Sequence, residues 1–122
     1  MVQKKILVVD DEPNIVKLIE VRLISAGYDV VTADNGEEGL KKTVSESPDL
    51  ILLDVTMPGM DGFEVLHKLK TDPKTMHIPV LMLTAMGATQ SMLKAQKMRA
   101  ADYILKPFKG DELLRYIKRY VL

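Results

Sequence analysis

The chain has 122 residues, of which 47% are hydrophobic and 28% charged, a composition typical of one globular domain. Seventeen basic residues balance seventeen acidic ones, and a net charge of zero disfavours a nucleic-acid-binding domain, which usually carries a basic excess. The lack of cysteine excludes disulfides, thiolate metal sites and cysteine nucleophiles, and no apolar run approaches the ~20 residues that cross a bilayer.

Short apolar runs alternate along the chain with amphipathic segments. The runs are mostly continuous, which is typical of strands buried on both faces of a parallel sheet. Pro13 suits the first turn of a helix and Gly27 its end. We therefore predict strands around 6–9, 30–31, 50–53, 80–83 and 103–105, and helices over 13–26, 37–46, 62–71, 88–99 and 110–121.

The alternation of strands and helices predicts an α/β fold, a doubly wound, five-stranded parallel sheet flanked by five helices. Right-handed crossovers restrict the topology to a few strand orders, and we choose 2-1-3-4-5, the order known from flavodoxin-like folds. We expect residues 1–122 to form a single domain. The four apolar residues before Asp10 are too few for a signal-peptide core, so we expect the protein to be cytoplasmic.

Polar residues stand at the carboxyl ends of four predicted strands, where sheets of this kind form their active crevice. Asp10 and Asp11 follow strand 1, Asp54 ends strand 3, Thr84 ends strand 4 and Lys106 ends strand 5. Three carboxylates from two neighbouring strands should meet there, and a divalent cation would relieve their repulsion. Hard oxygen ligands favour Mg²⁺, which often binds phosphate as well. Asp54 could then act as a nucleophile toward phosphorus.

Each of these residues also has an ordinary structural explanation. Asp10 or Asp11 could cap the helix that begins at Pro13, although capping accounts for one acid and not for two. Taken alone, Asp54 could simply close a strand, and Lys106 could be a solvated surface lysine. The functional interpretation depends on all of these groups meeting at one edge.

Four motifs resemble the response-regulator receiver family, in order and with the spacing of that family. They are VVDDE at 8–12, LDVTMPGMDG at 53–62, LTA at 83–85 and DYILKPF at 102–108. The resemblance covers essentially the whole chain, and it implies a Mg²⁺-dependent phosphoacceptor switch rather than a conventional enzyme.

The resemblance also implies a role for each site residue. Asp54 is the expected phosphoacceptor. The expected Mg²⁺ ligands are Asp11, Asp54 and the backbone carbonyl of Thr56, with Asp10 holding a metal-bound water. Lys106 is expected to contact the phosphoryl group, and Thr84 and Tyr103 are expected to form the switch pair.

The partners implied by the resemblance are proteins. A sensor histidine kinase or phosphotransfer protein is expected to dock on Ile15, Leu18, Pro107 and Phe108, although Ile15 and Leu18 could instead be core residues. A downstream target is expected on the face formed by helix 4, strand 5 and helix 5. No direct contact with nucleic acid or membrane is expected.

Three details of the backbone and the site remain as expectations. The resemblance implies a cis bond between Lys106 and Pro107. The family often has Gly where this chain has Arg99, so Arg99 either adopts the left-handed conformation or the helix ends differently. Thr56 and the apolar Met86 should flank the water that hydrolyses the acyl phosphate, which predicts a long-lived phosphoryl state.

Three alternatives compete with this interpretation. Phosphatases of the haloacid-dehalogenase type place a second Asp two residues after the nucleophile, where this chain has Thr56, and they need a longer chain. A flavin-binding domain of similar topology should have Ser, Thr and Gly in its first loop, whereas residues 10–12 are acidic and would repel phosphate. A receiver that only binds partners would not need the complete set of acids, Thr84 and Lys106.

Overall fold

The computed structural model describes residues 3–85 and 89–121, with only the backbone described for 89–92. Strands and helices alternate throughout these residues, as the sequence predicts. Their bounds are β1 Lys5–Val9, α1 Pro13–Ser25, β2 Asp29–Ala33, α2 Gly36–Glu46, β3 Leu50–Asp54, α3 Gly62–Thr71, β4 Val80–Ala85, α4 Thr89–Lys97, β5 Asp102–Lys106 and α5 Gly110–Lys118.

The five strands form one parallel sheet in the order β2-β1-β3-β4-β5, which confirms the predicted topology. The core is divided by the sheet into two apolar clusters. One contains Ile19 and Leu23 of α1 with Leu113 and Ile117 of α5. The other lies under α2, α3 and α4. Burial on both faces explains why β1 and β3 are continuous apolar runs.

Three predicted helices end earlier than the apolar periodicity indicates, and the smallest difference is at α1, which ends at Ser25 rather than at 26. Helix α5 ends at Lys118 rather than at 121, and the amides of Arg119 and Tyr120 donate to the carbonyls three residues back, Tyr116 O and Ile117 O, in a tight final turn. Helix α4 ends at Lys97 rather than at 99.

The end of α4 answers the question that Arg99 raises. Arg99 adopts the left-handed conformation with φ +68°. Its amide donates to Gln96 O at 3.2 Å, and the amide of Ala100 donates to Ala95 O at 3.0 Å. These two bonds define a Schellman motif, in which the left-handed position usually holds Gly. The helix therefore ends as it would with glycine, with a cationic side chain in its place.

A close backbone contact fixes the loop that follows β3. The amide of Gly62, at the start of α3, donates to Val55 O at 2.9 Å. A Cβ at Gly62 would lie 2.1 Å from the carbonyl oxygen of Asp54, so only glycine fits. This contact holds the loop 55–61 against the end of β3 and so fixes the backbone around Asp54. No helix in the described part of the chain has the length and apolarity needed to span a membrane.

Candidate functional site

The carboxyl edge of the sheet brings together residues that are far apart in the chain. Strand β1 lies beside β3, β3 beside β4 and β4 beside β5. Asp54 pairs in register with Leu83, and Lys106 pairs with Ala85. Asp10, Asp54, Thr84 and Lys106 therefore lie at one edge, as the position of the strand ends predicts.

Lys106 is the centre of the site's ion pairs. Its Nζ lies 3.1 Å from Asp10 Oδ2, 3.2 Å from Asp54 Oδ1 and 3.4 Å from Glu12 Oε1. The side chain is only 17% exposed. The explanation of Lys106 as a solvated surface lysine is therefore wrong.

Burial and charge together set the protonation of this edge. Asp10 is 0% exposed and Asp54 4% exposed. Burial, together with the charge of Asp10, raises the pKa of Asp54 to about 6, although Lys106 and the backbone amide of Thr56 act in the opposite direction. Burial lowers the pKa of Lys106, but the carboxylates of Asp54 and Asp10 outweigh it and raise that pKa above its usual value. The ammonium group therefore stays charged and offsets the two buried acids.

The acids at this edge could hold a metal ion, but they are not quite the predicted set. Carboxylate oxygens of Asp10, Glu12 and Asp54 lie within 4.8 Å of one another. Asp11 stands outside this cluster and lines a neighbouring cavity of about 390 Å³ between α1 and α2. Glu12 was missed by the sequence analysis, although its place in the VVDDE motif was a signal. Oxygen-only donors around an open edge suit Mg²⁺, so the residues present fit that ion.

Helix capping does not explain Asp10. The N-cap residue of α1 is Glu12, whose side chain makes no capping hydrogen bond. Asp10 Oδ1 instead accepts the amide hydrogen of Glu12 at 3.0 Å, before the helix begins. This bond orients one oxygen of Asp10 and leaves the other facing Lys106.

The proposed switch residues lie on neighbouring strands, Thr84 on β4 and Tyr103 on β5. Thr84 is buried, and its Oγ1 has no hydrogen-bond partner among the described residues. An unpaired buried hydroxyl at this edge is an available donor for an anionic ligand. Tyr103 is half-buried and packs against the core cluster under α2–α4. Thr56 is exposed, and Met86 lies outside the described residues.

The four residues expected to contact a kinase divide into two kinds. Leu18 is 55% exposed, so the alternative that it belongs to the core is wrong. Pro107 is also exposed, and the peptide bond between Lys106 and Pro107 is cis, as the resemblance implies. Ile15 and Phe108 are half-buried and pack against the core cluster of α1 and α5. Ile15 therefore has a structural role as well as a surface.

A doubly wound sheet whose acidic carboxyl edge faces a lysine defines the class of receiver domains. The sequence profile named Response regulator receiver domain matches residues 6–118. The chain belongs to this family, and it is a response-regulator receiver domain of two-component signalling. Because the chain belongs to the receiver family, we reject the two alternatives of a haloacid-dehalogenase-type phosphatase and a flavin-binding domain.

Similar proteins support the same conclusion. The chain is 46% identical over 115 residues to the alkaline phosphatase synthesis transcriptional regulatory protein PhoP of Bacillus subtilis, covering 94% of this chain and 47% of PhoP. It is 46% identical over 114 residues to the response regulator PleD of Caulobacter vibrioides, covering 93% of this chain and 25% of PleD. The structure of the chemotaxis response regulator CheY4 of Vibrio cholerae matches with a TM-score of 0.92 and 32% identity, covering 98% of this chain and all of CheY4 (100%). The chain spans half or less of the length of PhoP and PleD.

Proposed function

We propose that Asp54 accepts a phosphoryl group in a Mg²⁺-dependent reaction and that this modification switches the domain. The observation that carries the proposal is the position of Asp54, buried at the carboxyl edge and 3.2 Å from the ammonium group of Lys106. A carboxylate oxygen attacks phosphorus, the bond from phosphorus to the donor's leaving group breaks, and an acyl phosphate forms. From a phosphohistidine donor, the broken bond is P–N and the histidine recovers a proton.

The chain's own residues supply charge at this step. Lys106 Nζ can follow the negative charge that the phosphoryl oxygens bring, because its flexible side chain already reaches Asp54. Thr84 Oγ1 can donate one hydrogen bond to the same oxygens. Asp54, Asp11 and the carbonyl of Thr56 are the residues that would hold Mg²⁺ directly, with Asp10 binding through water. When bound, the ion supplies charge neutralisation between carboxylate and phosphate.

We propose that the phosphoryl donor is a histidine kinase or a phosphotransfer protein. Leu18 and Pro107 present exposed surface, with Ile15 and Phe108 beside them, at the edge that holds Asp54. The output is proposed to pass through Thr84 and Tyr103 to the face of α4, β5 and α5. Leu93 of α4 is more than half exposed, as a residue of a partner surface must be. Thr56 and Met86 are proposed to give the acyl phosphate a long lifetime.

The test is chemical labelling without a kinase. Acetyl phosphate with Mg²⁺ should add one phosphoryl group to the intact mass, and EDTA should abolish the addition. Asp54→Asn should not be labelled, and Asp11→Asn should be labelled more slowly at limiting Mg²⁺. Asp29→Asn, an exposed acid at the opposite edge of the sheet, is the matched control and should be labelled normally. Equal labelling of Asp54→Asn and the wild type would refute the proposal.

A further inference from the structure

A second charged site lies between the far ends of α3 and α4. A cavity of about 320 Å³ is present there, at the edge of the sheet opposite to Asp54, because both helices run away from the carboxyl edge. Four of its six lining residues carry basic side chains, and none is acidic. The lining residues are His67, Lys70, Thr71, Lys97, Met98 and Arg99.

The cations around this cavity are not neutralised by neighbouring acids. None of the salt bridges among the described residues involves Lys70, Lys97 or Arg99. Lys70 is half-buried, and its ammonium group is fixed by hydrogen bonds to Met76 O at 3.2 Å and Ile78 O at 2.7 Å. Burial and the charge of Arg99 lower the pKa of Lys70. The like charges therefore repel one another in the free protein.

Helix dipoles explain only some of these cations. Basic residues in the last turn of a helix interact favourably with its negative end, which accounts for Lys70 and Lys97. Arg99 follows α4 at the left-handed position of the Schellman motif, where a residue other than Gly costs about 1–2 kcal/mol. Strained backbone positions of this kind occur preferentially at functional sites.

We propose that this cavity binds the phosphate or pyrophosphate group of a small molecule. A concave site lined by Lys70, Lys97 and Arg99 matches a compact anion of charge about −2 better than it matches an extended acidic peptide. Arg99 supplies a planar set of donors for phosphate oxygens, and Lys97 supplies a point charge beside it. The site is separate from the phosphoacceptor edge, so the proposal stands or falls independently of the role of Asp54.

The test is a pyrophosphate titration of ¹⁵N-labelled protein in EDTA at constant ionic strength. Saturable chemical-shift changes are expected at residues 67–71 and 97–99. Arg99→Gly should weaken binding about tenfold, the loss expected for one charge-assisted contact. Lys97→Ala should weaken it as well. Lys41→Ala removes the same charge from the exposed surface of α2 and should leave the affinity unchanged.

Arg99→Gly also distinguishes a binding site from a structural role. Glycine relieves the left-handed strain, so this variant should unfold at a higher temperature while it binds pyrophosphate less tightly. Three results would overturn the proposal: no saturable binding, shifts that spread evenly over the basic surface, or an equal loss of affinity in Arg99→Gly and Lys41→Ala.

Discussion

Lys106 Nζ lies 3.2 Å from Asp54 Oδ1, although the two residues stand on strands that are not neighbours. Strand β4 lies between them, so the lysine side chain crosses the end of β4, where Thr84 is buried. The contact joins the proposed acceptor to the strand that carries Tyr103. We therefore expect a change of charge at Asp54 to act first on Lys106 and so on β5.

Removing Lys106 should destabilise the metal-free protein. In Lys106→Met the buried carboxylates of Asp10 and Asp54 lose their counter-ion, and breaking such a buried pair typically costs about 3–5 kcal/mol. Urea unfolding in EDTA measures this loss, and added Mg²⁺ should recover more stability in the variant than in the wild type. Lys109→Met, an exposed lysine nearby, is the control. Similar stabilities of the two variants would contradict this account of Lys106.

The raised pKa of Asp54 should make stability depend on pH. The folded-state pKa is about 6 and the ordinary value is 3.8. The unfavourable ionisation of Asp54 therefore develops as pH rises from about 4 to 6 and persists above that range. Without metal, Asp54→Asn should be more stable than the wild type by about 1–3 kcal/mol at pH 7.5, and this difference should shrink toward pH 4. A difference that does not change between pH 5 and 8 would contradict the prediction.

The unpaired hydroxyl of Thr84 should lower the folding stability of the unmodified protein. Thr84→Val removes a buried polar group that has no hydrogen-bond partner among the described residues, so it should stabilise the protein by about 1 kcal/mol. Thr75→Val is the matched control, because the buried hydroxyl of Thr75 donates to Leu69 O at 2.7 Å and that bond would be lost. Thermal unfolding should therefore shift upward for Thr84→Val and downward for Thr75→Val. A downward shift for Thr84→Val, like that of the control, would show that the Thr84 hydroxyl has a hydrogen-bond partner.

A change at Leu18 should affect phosphoryl transfer from a histidine kinase but not labelling by acetyl phosphate. Leu18→Asp changes an exposed side chain, so stability and labelling by acetyl phosphate should stay close to those of the wild type. Transfer from the cognate kinase should slow by about tenfold or more, since a charge would enter an apolar interface. Val44→Asp, on the exposed side of α2, should leave both reactions unchanged. Ile15 is a poorer probe because it packs against the core.

The architecture could be predicted because its strands are recognisable as apolar runs. Most of the site could be predicted because its residues stand at the carboxyl ends of those strands. Continuous apolar runs identified β1 and β3, and parallel strands placed Asp10 and Asp54 at one edge. The sequence could not predict the directions of individual carboxylates in the first loop. Glu12 joins the cluster through its contact with Lys106, while Asp11 lines the neighbouring cavity. Such choices depend on side-chain rotamers and on tertiary contacts across the sheet.

The C-terminal ends of α4 and α5 also could not be predicted from apolar periodicity. Apolar residues continue past Lys118, but the amides of Arg119 and Tyr120 donate to the carbonyls three residues back, which tightens the last turn. At Arg99 the sequence left two possibilities, because its side chain disfavours the left-handed conformation. Backbone hydrogen bonds of the Schellman motif decide between them, and those bonds depend on the packing of Ala95 and Ala100.

The central claim is that the phosphoryl group resides on Asp54, and the most direct measurement is its location on the chain. Protein treated with acetyl phosphate and Mg²⁺ can be reduced with borohydride, which converts an aspartyl phosphate to homoserine, and then digested and sequenced by mass spectrometry. The account predicts homoserine at position 54 and unmodified residues at Asp10, Asp11 and Glu12. Homoserine at Asp10 or Asp11, hydroxynorvaline at Glu12, or no homoserine at position 54 in fully labelled protein would contradict it.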